Sequence, residues 1–138
     1  MDAKEYLKQY RKITKRLKRI QNEIEELRAA AESFDVIGDG TPRSRNAGDS
    51  VANIAVKIAD LKSEYEDILI EAIEKRLEIV KVIEEVENAA QSHLLYDRYV
   101  LGMKWEDIAL ELHYDENYTR GRLHGSALLE VSRIINLN

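Results

Sequence analysis

The sequence predicts an all-α fold, a long antiparallel coiled-coil hairpin followed by a C-terminal helix-turn-helix module. Three observations predict it. Two long stretches of the 138-residue chain repeat apolar residues at alternating spacings of three and four. Only six Gly and one Pro interrupt it, and charged residues make up 34%, a mix that suits long helices better than sheets. Residues 94–138 then read as a short helix, a tight turn and a longer helix.

The first helix is expected at about residues 2–33. Tyr6, Tyr10, Ile13, Leu17, Ile20, Ile24, Leu27, Ala31 and Phe34 lie 4, 3, 4, 3, 4, 3, 4 and 3 apart. That is a seam of a and d positions with no Gly or Pro inside it. Residues 35–49 break the period and hold Gly38, Gly40, Pro42 and Gly48, so they read as a loop, with Asp49 or Ser50 capping the next helix.

The second helix is expected at about 50–88. Val51, Ile54, Ile58, Leu61, Tyr65, Ile68 and Ala72 resume the seam, and Ile79, Ile83 and Val86 continue it. Near Lys75 and Arg76 the apolar stripe shifts onto Ile73, Leu77 and Val80. Ile54, Ala55, Leu69, Ile70, Ile73 and Val80 remain as surplus apolar surface, which calls for a further partner, a homodimer first. Two seams joined by one loop give an antiparallel hairpin over 1–88, and Glu87-Asn88-Ala89 is the hinge to the module at 89–138.

In that module a helix is expected over about 90–101, burying Leu94, Leu95, Tyr99 and Val100, with Gly102 ending it at positive φ. The next helix opens at Lys104-Trp105, with Glu106 and Asp107 in its first turn, where the helix dipole favours acids. Ile108, Ala109 and Leu112 face inward. His113-Tyr114-Asp115 makes the turn, with Asp115 as N-cap. The last helix, about 116–136, carries an inward stripe of Leu123, Ala127, Val131 and Ile134. Tyr118, Arg122, Gly125 and Leu129 lie opposite. Trp105 reads as core, and Tyr6, Tyr10 and Tyr65 as packing residues of the seams.

Composition excludes several classes. With no cysteine there is neither a disulfide nor a thiolate metal site, and no apolar run of about 18 residues is present to span a membrane. The N-terminus lacks the apolar core of a signal peptide, so a cytoplasmic protein of a bacterial cell is expected. His93, His113 and His124 lack the mutual spacing of a zinc site, and neither a metal nor another cofactor is expected. No phosphate loop or nucleophile triad occurs, and Glu84, Glu85 and Glu87 form no carboxylate pair, so neither an enzyme nor a small-molecule substrate is expected.

Charge is uneven. Residues 1–50 hold 11 Lys and Arg against 9 Asp and Glu, residues 51–88 hold 5 against 10, and residues 89–138 hold 5 against 7. The local nets are +2, -5 and -2. The run from Lys4 to Arg19 carries eight positive residues against Glu5. It is suited either to nucleic acid or to pairing with the acidic second helix.

The pattern Leu94-Leu95-x-x-Arg98-Tyr99-x-x-Gly102-x-x-Trp105-Glu106-x-Ile108-Ala109-x-Glu111-Leu112, with Leu123-His124-Gly125-x-Ala127-Leu128, resembles the fourth region of sigma-70-type transcription factors. In outline the chain is similar to a phage and prophage family carrying such a helix-turn-helix, grouped with late-gene transcription regulators. Between Leu112 and Ala127 this sequence is one residue longer than the sigma pattern. The resemblance implies that the last helix reads bases in the major groove of double-stranded DNA through Asn117, Tyr118, Gly121 and Arg122. Asn117 suits adenine and Arg122 guanine, each in bidentate fashion. Lys104 and Arg120 suit phosphates, which orient without specifying. Gly121 and Gly125, four apart on one face, suit close approach of a backbone, from DNA or from a second helix.

Two functions follow as expectations. The first is a sequence-specific DNA-binding transcription regulator whose hairpin dimerises or engages RNA polymerase. The second is a structural or adaptor protein that binds another protein, RNA polymerase for example, without reading DNA.

Overall fold

The computed structural model describes the backbone of residues 1–37 and 45–136, and side chains outside residues 34–47. Its elements are all helical: α1 (Ala3–Ile37), α2 (Arg45–Glu84), α3 (Ala89–Leu95), α4 (Trp105–Leu112), α5 (Glu116–Tyr118) and α6 (His124–Asn136). π-Helical turns continue α3 over Tyr96–Val100 and join α5 to α6 over Thr119–Leu123. No described helix is long and apolar enough to cross a membrane.

The helix ends differ from the expected ones. α1 runs on to Ile37 and α2 already begins at Arg45, so positions 35–37 and 45–49 of the expected loop are helical, and Asp49 and Ser50 lie inside α2 rather than at its cap. The one glycine there, Gly48, costs about 1 kcal/mol relative to Ala, which a 40-residue helix outweighs. Gly38, Gly40 and Pro42 fall outside the described residues. α2 stops at Glu84 rather than 88, and Asn88 caps α3 by accepting from Gln91 N at 2.9 Å.

The chain forms two compact units that interleave along the sequence. One comprises Met1–Ile13 with Ala72–Asn138, the other Thr14–Glu71. Residue 88, where the sequence suggested a division, lies inside the first unit, at the break between α2 and α3.

In the first unit one apolar core is built from five segments. Ala3 and Leu7 come from α1, and Ile79, Val82, Ile83 and Val86 from α2 and its end. Leu94, Leu95, Tyr99 and Val100 come from α3 and its π turn, Ile108 from α4, and Leu123, Ala127, Val131 and Ile134 from the last helical stretch. The expected stripe of the last helix is buried at all four positions. The start of the first seam is corrected: Leu7 is fully buried, whereas Tyr6 and Tyr10 are half-buried. Their hydroxyls explain the shift. Tyr6 donates to Glu78 at 3.1 Å and Tyr10 accepts from Arg76 at 3.2 Å, so both rings stay at the edge where polar partners are available. Arg76 also reaches the Tyr96 hydroxyl at 3.3 Å.

In the second unit Leu17, Ile24, Leu61 and Ile68 are buried and Ile20, Leu27, Ile58 and Tyr65 half-buried. Basic and acidic side chains flank this seam. Arg16 and Arg19 share a groove with Glu23 and Glu64, and Arg28 and Lys62 share another with Glu25 and Glu66. On α2, Ile70 of this unit is 57% exposed, and Ile73 and Leu77 of the first unit are 51% and 67% exposed.

Candidate functional site

α4 and the last helical stretch are joined by three residues that local chemistry shapes. α4 starts at Trp105 after an extended Lys104. It stops because His113 takes a left-handed conformation, φ 60°, and Tyr114 N donates to Ala109 O at 3.1 Å, closing the helix end. Asp115 then caps the next helix, its carboxylate accepting from Tyr118 N at 3.1 Å. Thr119, fully buried, donates its hydroxyl to Asp115 O at 2.8 Å. At the preceding turn Gly102 has φ +71°, a backbone conformation that favours glycine; a Cβ there would also displace the movable end of the Arg11 side chain.

A polar bolt fixes the last helix against α3. Tyr99 Oη and His124 Nε2 are 2.7 Å apart in the core. Burial and the charges of Lys4 and Arg98 push His124 down to about 4, so the ring is neutral at pH 7. Burial also pushes Tyr99 up to about 12. Tyr99 therefore keeps its proton and donates it, and His124 accepts through Nε2. Trp105 packs edge-on against His124 with centroids 4.6 Å apart, and Arg98 lies 4.7 Å above the Trp105 ring. Arg98 also donates to Met103 O at 2.9 Å. Trp105 is thus a packing residue, as expected, and Arg98 is spent on holding the 102–105 turn.

On the outer side, Asn117, Tyr118, Gly121 and Arg122 are all exposed, together with Lys104 and Arg120. Tyr118 packs edge-on against Tyr114, centroids 5.5 Å apart. Arg120 pairs with Glu116 at 3.1 Å, one helical turn away. An exposed pair of that kind contributes about 0.3–0.5 kcal/mol, little enough for a phosphate to displace it. A Cβ added at Gly121 or Gly125 would meet nothing within 4 Å. No described internal contact therefore requires glycine at either place, although each costs about 1 kcal/mol in a helix.

A second cluster was not foreseen. His93 Nε2 lies 2.8 Å from Glu111 Oε2 and 2.9 Å from Asp97 Oδ2. Asp97 is buried, and burial pushes its carboxyl up to about 6. A hydrogen bond with Asp97, then one with His93, lowers Glu111. The bond to Glu111 raises His93 against its own burial. The three histidines do not come together: His93 stands with two carboxylates, His113 is exposed in the turn, and His124 is in the core. The legible signal was His93 and Asp97 four apart on one helix face; Glu111, from another helix, left none.

Comparison of the chain with family models, curated proteins and solved structures returns no match.

Proposed function

We propose that this protein is a sequence-specific, DNA-binding transcription regulator of phage type. In this reading α4, the 113–115 turn and the stretch from Glu116 to Asn136 form a helix-turn-helix of the sigma region 4 kind, and α1 and α2 form its coiled-coil hairpin. The last stretch lies in the major groove. Asn117, Tyr118, Gly121 and Arg122 read bases, and Lys104 and Arg120 hold phosphates.

The observation that carries the reading is the outer face from Asn117 to Gly125. It is exposed, has Arg120 and Arg122 on it, and bears two glycines whose Cβ space is empty. A helix sacrifices stability at two such positions when something outside it must come close. The π turn supplies a second argument. The chain is one residue longer than the sigma pattern between Leu112 and Ala127, and Thr119–Leu123 is wound with i→i+5 bonds. Wider winding absorbs one extra residue while the inward stripe stays inward, and such turns recur at functional sites.

Selection of bound fragments from a random double-stranded pool, followed by titration of the selected site over a salt series, tests the reading. A regulator binds the selected site more tightly than random DNA, with an affinity that falls steeply with salt. Equal affinity for selected and random DNA, or none for either, overturns it.

One observation favours the adaptor reading. Ile70, Ile73 and Leu77 expose an apolar stripe on α2, of the kind that binds a partner helix. The same stripe serves the regulator as a dimer or polymerase contact. A symmetric dimer places two half-sites about one helical turn of DNA apart.

A further inference from the structure

The carboxylate of Asp97 is a costly group to bury. Its side chain is 6% exposed, and Oδ2 accepts no well-aligned hydrogen bond among the described residues, its neighbours being His93 and Glu111. A buried carboxylate oxygen left so is strongly unfavourable. It faces His93 Nε2 at 2.9 Å, but a protonated Nε2 carries one hydrogen, and that nitrogen is hydrogen-bonded to Glu111 at 2.8 Å. An unprotonated Nε2 carries none. Three lone-pair atoms, all within 4.8 Å of one another, thus converge with at most one imidazole proton among them.

We propose that His93, Asp97 and Glu111 are the protein ligands of a divalent first-row transition-metal ion, with zinc the best match. Bonds of about 2.0–2.2 Å to a shared ion set neighbouring donor atoms about 3–3.5 Å apart, so separations of 2.8 and 2.9 Å need only small side-chain adjustments. A neutral imidazole and two carboxylates balance a charge of +2. The imidazole favours zinc over magnesium or calcium, which prefer all-oxygen shells. His93 and Asp97, four apart, present their donors from one face of α3 and its π turn, and Glu111 comes from α4. His93 and Glu111 are 49% and 47% exposed, so water reaches the outer side and completes the shell. The ion staples α3 to α4, whatever the last helix binds.

The test uses the full chain, freed of metal with a chelator and then dialysed. Zinc chloride is titrated by calorimetry, cobalt(II) gives a visible absorption spectrum, and melting is followed with and without zinc. Expected are one saturable zinc site per chain, a zinc-dependent rise in Tm, a cobalt d–d spectrum and no response to magnesium. His93→Gln and Glu111→Gln replace exposed side chains, so both should keep the parent's far-ultraviolet circular dichroism. Each should weaken zinc binding about tenfold or more. His113→Gln, which alters the exposed histidine of the turn, should bind as the parent does. The proposal is overturned by absence of saturable zinc binding, which would mean that a shared proton satisfies the carboxylates. It is equally overturned by undiminished affinity in folded His93→Gln and Glu111→Gln, or by loss of binding in His113→Gln.

Discussion

The described parts of residues 14–71 and residues 89–136 are both built of helices, yet different forces hold them. Among the described residues of the first region the buried side chains are Leu17, Ile24, Leu61 and Ile68, each keeping 5–8% of its surface exposed. Among the described residues of that region, no side chain is fully enclosed. In the second region Leu94, Leu95, Ile108, Thr119, Ala127 and Val131 are fully enclosed, and Thr119 and His124 are buried polar groups with directional partners. Apolar seams supply adhesion along a length. Buried hydrogen bonds fix the angles at which short helices cross, because a misplaced donor costs its whole desolvation.

The largest expected effect breaks or sharpens that contrast. Ile108→Ala, in the enclosed core, is expected to cost about 3–5 kcal/mol, whereas Leu61→Ala in the open seam should cost about 2–3. Urea denaturation of both variants checks this, and equal losses would remove the contrast.

Next comes the polar bolt. His124 has its folded value near 4 and an unfolded value near 6.5, so its stabilisation is fully present above about pH 6.5. It is lost as pH falls through that window to about 4, by on the order of 2–3 kcal/mol. Asp97, raised to about 6 by burial, acts in the opposite sense, since its ionisation above that pH is what costs. The difference in stability between the parent and His124→Phe, measured from pH 7.5 to 4, isolates the histidine. A difference that does not change with pH would show that the bolt does not titrate.

For the outer face, Arg122→Ala is expected to lower affinity for the selected DNA site by about 1–3 kcal/mol while leaving random DNA little changed. Lys104→Ala should weaken both alike and flatten the salt slope. Fluorescence anisotropy on labelled duplexes reads both, and an unchanged Arg122→Ala would remove this residue from base reading.

The smallest effect is at the turn. His113 holds φ 60° without being glycine. His113→Gly should raise stability by about 0.5–1 kcal/mol in thermal melts by relieving that conformation, and a loss of stability would mean that the ring makes a needed contact.

Much of this architecture could be read along the chain. The last helix's stripe of Leu123, Ala127, Val131 and Ile134, the stop at Gly102 and the cap at Asp115 all depend on residues within a few positions of each other. The 3.6-residue period and the capping hydrogen bonds act over that same range. The ends of α1 and α2 were less legible, because a long helix tolerates one poor residue and runs past it.

The sequence by itself determined that the chain is helical, where the last helix carries its apolar stripe, and which face of that helix is left polar with two glycines. Only tertiary structure decided that Tyr99 meets His124 across 25 positions, that Leu7 rather than Tyr6 enters the core, and that Glu111 comes to His93 and Asp97. The physical reason is range. Periodicity and caps are set by neighbours in the chain, whereas these meetings are set by how helices cross, which depends on the packing of every side chain between them.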